Sequence, residues 1–178
     1  MYIDVRICTK ELRREPEPLS GVDCFHPTMT PGIYARRFAE LGTVIQLGVA
    51  SGQVIDVSFP DGIPADAATE HEVFALIDDY LDGDRLALTD VEIALTVPTD
   101  HRQVLSALQN VSAGNTVTVS RLARLAGMDE DNEADQATVR DALRENPMPL
   151  LIPDHRVRDA QGATPPDVAA TLRELEDD

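Results

Sequence analysis

The sequence predicts an α+β fold in two parts, a small α/β unit followed by a helical unit. Residues 43–59 alternate between apolar and polar side chains, which is typical of strands with one buried face. Residues 99–144 instead repeat their apolar side chains every three or four positions, as amphipathic helices do. Pro98 separates the two patterns, and we place a domain boundary there. The predicted segments are an N-terminal extension at 1–32, an α/β domain at 33–98 and a helical domain at 99–178.

Residues 1–32 form a proline-interrupted extension. Residues 1–8 alternate like a short strand, but the prolines that follow break any longer element. The two cysteines, Cys8 and Cys24, lie in this segment, and in a cytosolic chain we expect two ordinary thiols rather than a disulfide. No second ligand pair follows Cys24 and His26 at a spacing typical of zinc sites, so we expect no metal site.

The middle segment predicts a small α/β unit. Ser51 and Gly52 form a two-residue turn between two alternating runs, which is typical of a β-hairpin. Thr69 and Glu72 form a capping box, and Gly83 is the stop signal of the helix that follows. The predicted elements are strands at 43–50 and 53–59, a loop at 60–68, a helix at 69–81 and a strand at 86–95.

The last segment predicts a longer helix followed by two short ones. Asp100 and Gln103 give a capping signal for the first helix, and Gly114 ends it. Gly127 ends the second helix, and Pro147 prevents the third from continuing. This is the outline of a helix-turn-helix, although any three-helix unit shares it. The predicted elements are helices at 104–111, 120–126, 137–144 and 167–175, an acidic connection at 128–135 and a short strand at 156–159.

The chain is strongly acidic, with 32 Asp and Glu residues against 15 Lys and Arg residues and a formal net charge of −17. Lys10 is its single lysine. We interpret this composition as halophilic, because concentrated cytoplasmic salt screens the self-repulsion; an ordinary acidic protein is the alternative. No run of the sequence provides the basic face that duplex DNA normally meets. No apolar run approaches the ~20 residues of a membrane helix, so we expect a cytoplasmic chain without a membrane partner.

The most specific motif lies at residues 146–157, with the sequence NPMPLLIPDHRV. It resembles the active-site segment of the O6-alkylguanine-DNA alkyltransferase family, with Asp154 at the position of the methyl-accepting cysteine. The resemblance covers roughly Gly32 to the C-terminus. It implies a ribonuclease H-like N-terminal domain and a C-terminal domain of the winged helix-turn-helix type.

This resemblance implies a repair protein that works without a cofactor, binds the minor groove and flips an alkylated guanine into a pocket. Asn146 would then fix the active-site turn, and Arg156 would brace the loop. His155 would act with a downstream glutamate and a water to deprotonate the family's cysteine. Gly114 would be the glycine that precedes the helix-turn-helix.

The predicted DNA contacts depart from the family pattern. Val119 stands where the family keeps a tyrosine that helps to rotate the phosphate. Ala137 stands near the position of the arginine that fills the gap left by the flipped base, and Arg140 is the nearest arginine. Arg140 and Arg144 are either phosphate ligands or solvated helix-face arginines. The predicted DNA-binding residues are Thr118, Val119, Ala137, Arg140 and Arg144.

Asp154 decides between the functional interpretations. A carboxylate is a much weaker nucleophile than a thiolate toward a saturated carbon. We therefore predict an alkyltransferase-like protein that binds DNA carrying alkylated guanine and recruits excision-repair proteins, without transferring the alkyl group. Slow transfer to Asp154 is a further hypothesis, so whether the chain is an enzyme stays open. Asp154 could also accept hydrogen bonds from the guanine base.

The alternative is a degenerate homologue that serves as a protein-interaction or structural module with no DNA activity. An acidic insertion at 129–133 lies where DNA phosphates should pass, and the loop at 161–166 is shortened relative to the family. Both features favour this alternative. His155 and Arg156 would then belong to an internal hydrogen-bond cluster that holds the loop.

Overall fold

The computed structural model describes residues 31–85 and 87–177, and its helices and antiparallel sheet confirm the predicted α+β class. The predictions for residues 1–30, including the thiols Cys8 and Cys24, lie outside the described residues. The elements in chain order are β1 (Gly32–Phe38), β2 (Thr43–Ala50), β3 (Gln53–Ser58), α1 (Glu72–Leu81), α2 (Thr99–Gln109), α3 (Val119–Leu125), α4 (Glu133–Arg144), a 3-10 turn (Asp154–Arg156) and α5 (Pro166–Asp177).

The sheet has the order β1-β2-β3 with antiparallel pairing throughout. The predicted hairpin is confirmed: Ser51 and Gly52 both have positive φ angles, 53° and 77°, which is the geometry of a type I′ turn. Strand β1 was not predicted from the sequence. Its burial pattern is not a clean alternation, and the strand is stabilised by its full register with β2, which is a non-local contact.

The predicted strand at 86–95 is wrong, because the described part of this segment folds around a turn. Leu88 and Val91 are both buried, and the N–H of Val91 donates to the carbonyl of Leu88. Three-residue spacing of buried side chains is incompatible with a strand, in which alternate positions face the core. Only an isolated bridge from Ile93 to Val54 reaches the edge of β3.

Helix α1 begins at Glu72, three residues after Thr69, the first residue of the predicted capping box. His71 is the N-cap, and its Nδ1 accepts the N–H of Val73 at 3.2 Å. Thr69 therefore lies outside the helix, which corrects the predicted cap. The predicted stop is confirmed, because the helix ends at Leu81 and Gly83 takes the positive φ of 79° that favours glycine.

The helices of the second unit lie close to their predicted places, but their caps differ. Helix α2 begins at Thr99 after Pro98, which makes no side-chain cap, so the capping role predicted for Asp100 is wrong. The hydroxyl of Thr118 caps α3 by accepting the N–H of Arg121 at 3.2 Å. That contact supplies an acceptor for one of the unpaired amides of the first helical turn.

Helix α4 begins at Glu133, four residues before the predicted start. The side chain of Asn132 accepts from the N–H groups of Ala134 and Asp135, which is an N-cap. Glu133 and Asp135 occupy the first turn, where carboxylates interact favourably with the helix dipole. The predicted acidic connection at 128–135 is therefore partly helix.

The predicted strand at 156–159 is also wrong. The chain instead makes the 3-10 turn Asp154–Arg156, and only Val157 forms an isolated bridge, to Val117. The N–H of Val117 donates to the carbonyl of Arg156, and the N–H of Arg158 donates back to Val117. This short ladder holds the segment after the turn against the beginning of α3.

The sheet and the helices share one hydrophobic core in the described part of the chain. The N–H of Val57 in β3 also donates to the carbonyl of Pro147 at 2.8 Å, which ties the sheet to the segment after α4. No helix in the residues that the structure describes is long and apolar enough to cross a membrane. The largest fully buried side chains are those of Phe38, Phe74, Ile45, Leu47, Ile77, Leu105, Leu108, Leu122, Leu143, Met148, Ile152 and Leu172.

Candidate functional site

Asn146 holds the turn that follows α4. Its side chain is buried, and its Nδ2 donates to the carbonyl of Ile152 at 3.2 Å and to Oδ2 of Asp154 at 3.3 Å. Its Oδ1 accepts the N–H of Met148 at 3.1 Å. These bonds join the beginning of the turn to its end, so Asn146 links the helix end to Asp154.

The carboxylate of Asp154 is bound by Asn146 and by the loop at 161–166. Asp154 is 1% exposed. Its Oδ2 accepts from the backbone N–H groups of Ala163 at 2.8 Å and Thr164 at 3.1 Å, and from Asn146. Its Oδ1 accepts the hydroxyl proton of Thr164. The acceptor capacity of a carboxylate is largely used by such a donor set, so Asp154 cannot also receive a guanine base unless these bonds break.

Gly162 lies directly against this carboxylate. A Cβ atom at position 162 would stand 2.5 Å from both Cγ and Oδ2 of Asp154, which is far inside van der Waals contact. Only a residue without a side chain allows the loop to approach so closely. The loop at 161–166 therefore packs directly on the Asp154 carboxylate.

We expect the Gly162→Ala substitution to destabilise the protein by about 1–3 kcal/mol, the usual cost of overpacking a filled site. The new methyl group must displace either the loop or the Asp154 side chain, which the loop amides and Asn146 hold in place. Urea unfolding measures the loss. Gly62→Ala is the matched control, because nothing lies within 4 Å of a Cβ at that position. Equal midpoints for the two variants would contradict the close approach.

Glu176 in α5 collects the other polar side chains of the site. Its Oε1 lies 3.1 Å from Nε2 of His155, and it also accepts the hydroxyl proton of Tyr80. Arg156 donates through Nε to both carboxylate oxygens at 3.0 Å and through Nη2 to Oε1 at 2.6 Å. Arg156 also donates to the carbonyl of Val111. The cluster therefore joins the 3-10 turn to α1, to α5 and to the end of α2.

The family resemblance implies a glutamate downstream of His155 as its partner, but the sequence alone does not say which glutamate this is. Glu174 lies in the predicted final helix at 167–175, and Glu176 is the first residue after it. Only the fold separates them, because Glu176 faces the turn while Glu174 is exposed. The one available signal is their spacing from buried Leu172, since a residue four positions later shares its helix face.

The cluster strongly shifts the pKa values of Glu176 and Tyr80. Burial alone would raise the pKa of Glu176, but hydrogen bonds from His155, Arg156 and Tyr80 outweigh it and hold that pKa well below its usual range. Burial, reinforced by the hydrogen bond to Glu176, raises the pKa of Tyr80 well above its usual value. At neutral pH Glu176 is therefore ionised and Tyr80 is a protonated donor.

Comparisons with known proteins show what this part of the chain is similar to. Residues 99–175 match the family model described as 6-O-methylguanine DNA methyltransferase, DNA binding domain. The match covers the helical part of the chain that contains Asn146, Asp154, His155 and Arg156. A Mus musculus methylated-DNA–protein-cysteine methyltransferase is 46% identical over 63 residues, which span 35% of this chain and 28% of the mouse protein. The resemblance predicted from residues 146–157 is therefore confirmed.

Solved structures of O6-methylguanine methyltransferases share the fold. The Mycobacterium tuberculosis enzyme has a TM-score of 0.65 and 19% identity, and the match covers 82% of this chain and 93% of that one. A structure of the same organism's protein in complex with DNA has a TM-score of 0.64 at 20% identity, with 81% and 92% covered. The protein from Pyrococcus kodakaraensis has a TM-score of 0.60 at 20% identity, with 82% and 99% covered.

The residues predicted from the methyltransferase family fall into two groups in the structure. Asn146, Asp154, His155 and Arg156 are all buried and lie around the same loop. The predicted DNA contacts lie apart from them, at the start of α3 and along α4. Nδ1 of His155 is buried without a hydrogen-bond partner among the described residues, while its Nε2 faces Glu176.

Val119 is not available as a side-chain contact to DNA. Its side chain is fully buried, and its N–H donates to Oδ1 of Asp159 at 2.8 Å. Thr118 and Ala137 are exposed, so they can meet a partner. Val119 therefore belongs to the core beneath α3, and its predicted role as a side-chain contact to DNA is wrong.

Carboxylates pair with some of the arginines of α3 and α4. Arg144 pairs with Asp141 at 3.2 Å, and Arg124 pairs with Glu130 at 3.3 Å. Arg140 is half-buried and donates to the side chain of Gln136 at 3.4 Å. This surface therefore has no excess of positive charge around α4. Within residues 31–85 and 87–177, no group of three His, Cys, Asp or Glu side chains is arranged to hold a metal ion.

Proposed function

We propose that this chain is an alkyltransferase-like protein that binds duplex DNA and does not accept an alkyl group itself. The burial of the Asp154 carboxylate, with its hydrogen bonds to Asn146, Ala163 and Thr164, carries the proposal. A nucleophile must present a lone pair to the alkyl carbon from inside the base pocket. Asp154 instead uses its lone pairs to hold its loop, so it replaces a reactive group by a structural one.

The DNA part of the proposal is supported by the match of residues 99–175 to a DNA-binding domain of this family. Thr118 and Ala137 are exposed, and Arg144 also reaches the surface of α4. We infer that these residues and Arg140 meet a duplex carrying alkylated guanine, and that excision-repair proteins are recruited there. Because Arg124 and Arg144 are paired with carboxylates, binding would rest on shape and hydrogen bonds, as expected for a salt-adapted cytoplasmic protein.

The finer domain description belongs to the same proposal. Pro98 is the N-cap of α2, and the family match begins at residue 99, which supports a division into 1–32, 33–98 and 99–178. The sheet with α1 corresponds to the ribonuclease H-like part of the family fold. The helices α2–α4 with the 3-10 turn correspond to the winged helix-turn-helix part.

We expect no methyl transfer when the protein is incubated with duplex DNA containing O6-methylguanine. Intact-mass spectrometry should show the unmodified mass, and the lesion content of the DNA should not fall. The Asp154→Cys variant should transfer little or nothing, because its thiol would lie under the same loop at Gly162. A gain of one methyl group by the wild-type protein, lost again on hydrolysis, would instead show that Asp154 is a regenerable acceptor.

The same preparations test binding, with plain duplex, lesion duplex and single-stranded DNA compared at low and multimolar KCl. We expect preference for the lesion duplex and a weakening of binding to all duplexes by Arg144→Gln, the behaviour of a phosphate contact. Arg85→Gln is the control, because Arg85 pairs with Asp90 in the α/β unit, away from α4.

A second candidate function is a protein-interaction or structural module without DNA activity. The ion pairs on Arg124 and Arg144 favour it, as does the run of carboxylates at 129–131 beside α4. The binding comparison separates the two functions. Failure to bind any duplex at either salt concentration would support this second candidate and overturn the first.

A further inference from the structure

The loop that follows β3 contains an aspartate with a glycine directly after it. Asp61 and Gly62 lie in a bend of this loop, between Pro60 and Pro64. Both residues are exposed, and the neighbouring Ile63 is 44% exposed although its side chain is apolar. These residues therefore lie outside the core and in contact with solvent.

Hydrogen bonds do not restrain this dipeptide within the part of the chain that the structure describes. There the carboxylate of Asp61 forms no hydrogen bond and no ion pair, and the N–H of Gly62 has no acceptor. The next backbone hydrogen bond along the loop joins the N–H of Ala67 to the carbonyl of Pro64 at 3.1 Å. A Cβ atom at position 62 would meet no atom within 4 Å, so the space beside this nitrogen is open.

A second Asp-Gly dipeptide, at Asp82 and Gly83, lies in a restrained part of the backbone. Asp82 is also exposed, but it is the C-cap of α1, and its N–H donates to the carbonyl of Asp78 at 2.9 Å. The N–H of Gly83 donates to the carbonyl of Tyr80 at 3.3 Å, and its φ is 79°. The chain therefore contains two copies of one dipeptide that differ in how the fold holds them.

We propose that Asp61 is a site of spontaneous conversion to isoaspartate. The backbone nitrogen of Gly62 attacks Cγ of the protonated Asp61 carboxyl group, and the new C–N bond closes a five-membered imide ring. The proton of the attacking N–H and the hydroxyl of the carboxyl group leave together as one water. A second water then opens the ring at the carbonyl that belonged to the backbone. The peptide link now runs through the former side chain, and Asp61 carries a free α-carboxylate at unchanged mass.

The fold decides which of the two aspartates reacts. Ring closure requires the backbone to rotate until the nitrogen of the glycine faces Cγ, and a glycine allows this at low steric cost. At Asp61 the rotation breaks no hydrogen bond of the described chain, whereas at Asp82 it must break the bond from Gly83 to Tyr80. Because the end of α1 must first open locally, we expect the reaction at Asp82 to be slower by about ten-fold or more.

The modified protein should remain folded. An isoaspartyl link adds one methylene group to the backbone, and the exposed loop at 60–63 can absorb it without losing a hydrogen bond of the described chain. The site lies in the α/β unit, outside residues 99–175, and it goes beyond the proposed function. It does not depend on whether the protein binds DNA.

Peptide mapping of protein aged in mildly acidic buffer tests the site, with one sample folded and one unfolded in urea. Electron-transfer fragmentation distinguishes isoaspartate from aspartate, and the imide is lighter by one water. We expect Asp61 to react in the folded protein at a rate close to its rate in urea. Asp82 should react about ten-fold or more slowly in the folded protein than in urea.

Gly62→Ala should slow the reaction at Asp61 by about ten-fold or more, because its methyl group crowds the attacking nitrogen. It should leave the fold intact, since the space at this position is open, and circular dichroism verifies this. Asp61→Glu should give no product at this position, because its ring would need six members. The proposal is overturned if folding slows the reaction at Asp61 as much as at Asp82, or if Gly62→Ala reacts as fast as the wild type.

Discussion

Replacing Glu176 by Gln is expected to reduce the free energy of unfolding by about 3–5 kcal/mol at neutral pH, the usual cost of breaking one side of a buried ion pair. Arg156 is 4% exposed, and its charge is balanced by Glu176. The amide keeps the shape of the carboxylate but leaves this cation without a counter-charge. Tyr80 and His155 also lose their charged partner. Urea unfolding of the two proteins measures the difference.

Glu174→Gln is the matched control, because Glu174 is an exposed glutamate of the same helix. It should change the free energy of unfolding by no more than about 0.5 kcal/mol, as surface substitutions usually do. A loss of the same size in both variants would mean that the charge of α5, rather than the cluster around Arg156, determines stability.

The same pair of proteins should show a defined pH dependence. The pKa of Glu176 is depressed by folding, so the unfolded chain takes up its proton first as the pH falls. The stability that this carboxylate contributes is therefore complete above its ordinary pKa of 4.5 and is lost as the pH falls below that value toward the depressed pKa. We expect the difference in free energy of unfolding between the wild type and Glu176→Gln to become smaller in this acid range. A gap of constant size down to strong acid would contradict the assignment.

The second large effect is expected from Asp154→Ala, which should destabilise the protein by about 3–5 kcal/mol because it strands several buried donors at once. Those donors are the side chain of Asn146, the amide of Ala163, and the amide and hydroxyl of Thr164. The stability of Asp154→Asn should lie between those of the wild type and Asp154→Ala. Its amide oxygen can still accept hydrogen bonds, whereas its amide nitrogen faces other donors.

Hydrogen exchange makes this prediction specific to the loop. The amides of Ala163 and Thr164 should be protected in the wild type and exchange much faster in Asp154→Ala, because their acceptor is gone. Asp61→Ala is the control, since Asp61 is exposed in the segment after β3. Unchanged protection in Asp154→Ala would show that the loop is held by packing alone, and that Asp154 is free for another role.

Local patterns in the sequence predicted several elements well. The alternation on both sides of Ser51 and Gly52 is enough for a hairpin, because a type I′ turn and its strands are determined within a few residues. The glycine at 83 and the proline at 147 likewise mark helix ends through their own backbone limits. The strand β1 escaped prediction, because its partner strand rather than its own side-chain pattern stabilises it.

The motif at 146–157 and the folded structure gave different information about the site. Residues 146–157 alone predicted the resemblance to the methyltransferase family, with Asp154 at the position predicted for the cysteine. They did not show that Gly162 and Thr164 close over that carboxylate, which depends on how a second loop packs. Val119 was predicted as a DNA contact from its position, but the core under α3 buries it.

The sequence by itself determined the α+β class and the resemblance of residues 99–175 to the methyltransferase family. Only the tertiary structure decided that the loop at 161–166 binds Asp154, and that Glu176 rather than Glu174 completes the cluster. The reason is physical. Motifs and periodicities record what neighbouring residues require of the backbone, whereas hydrogen-bond partners from α1, the 3-10 turn and α5 meet only when the shared core is packed.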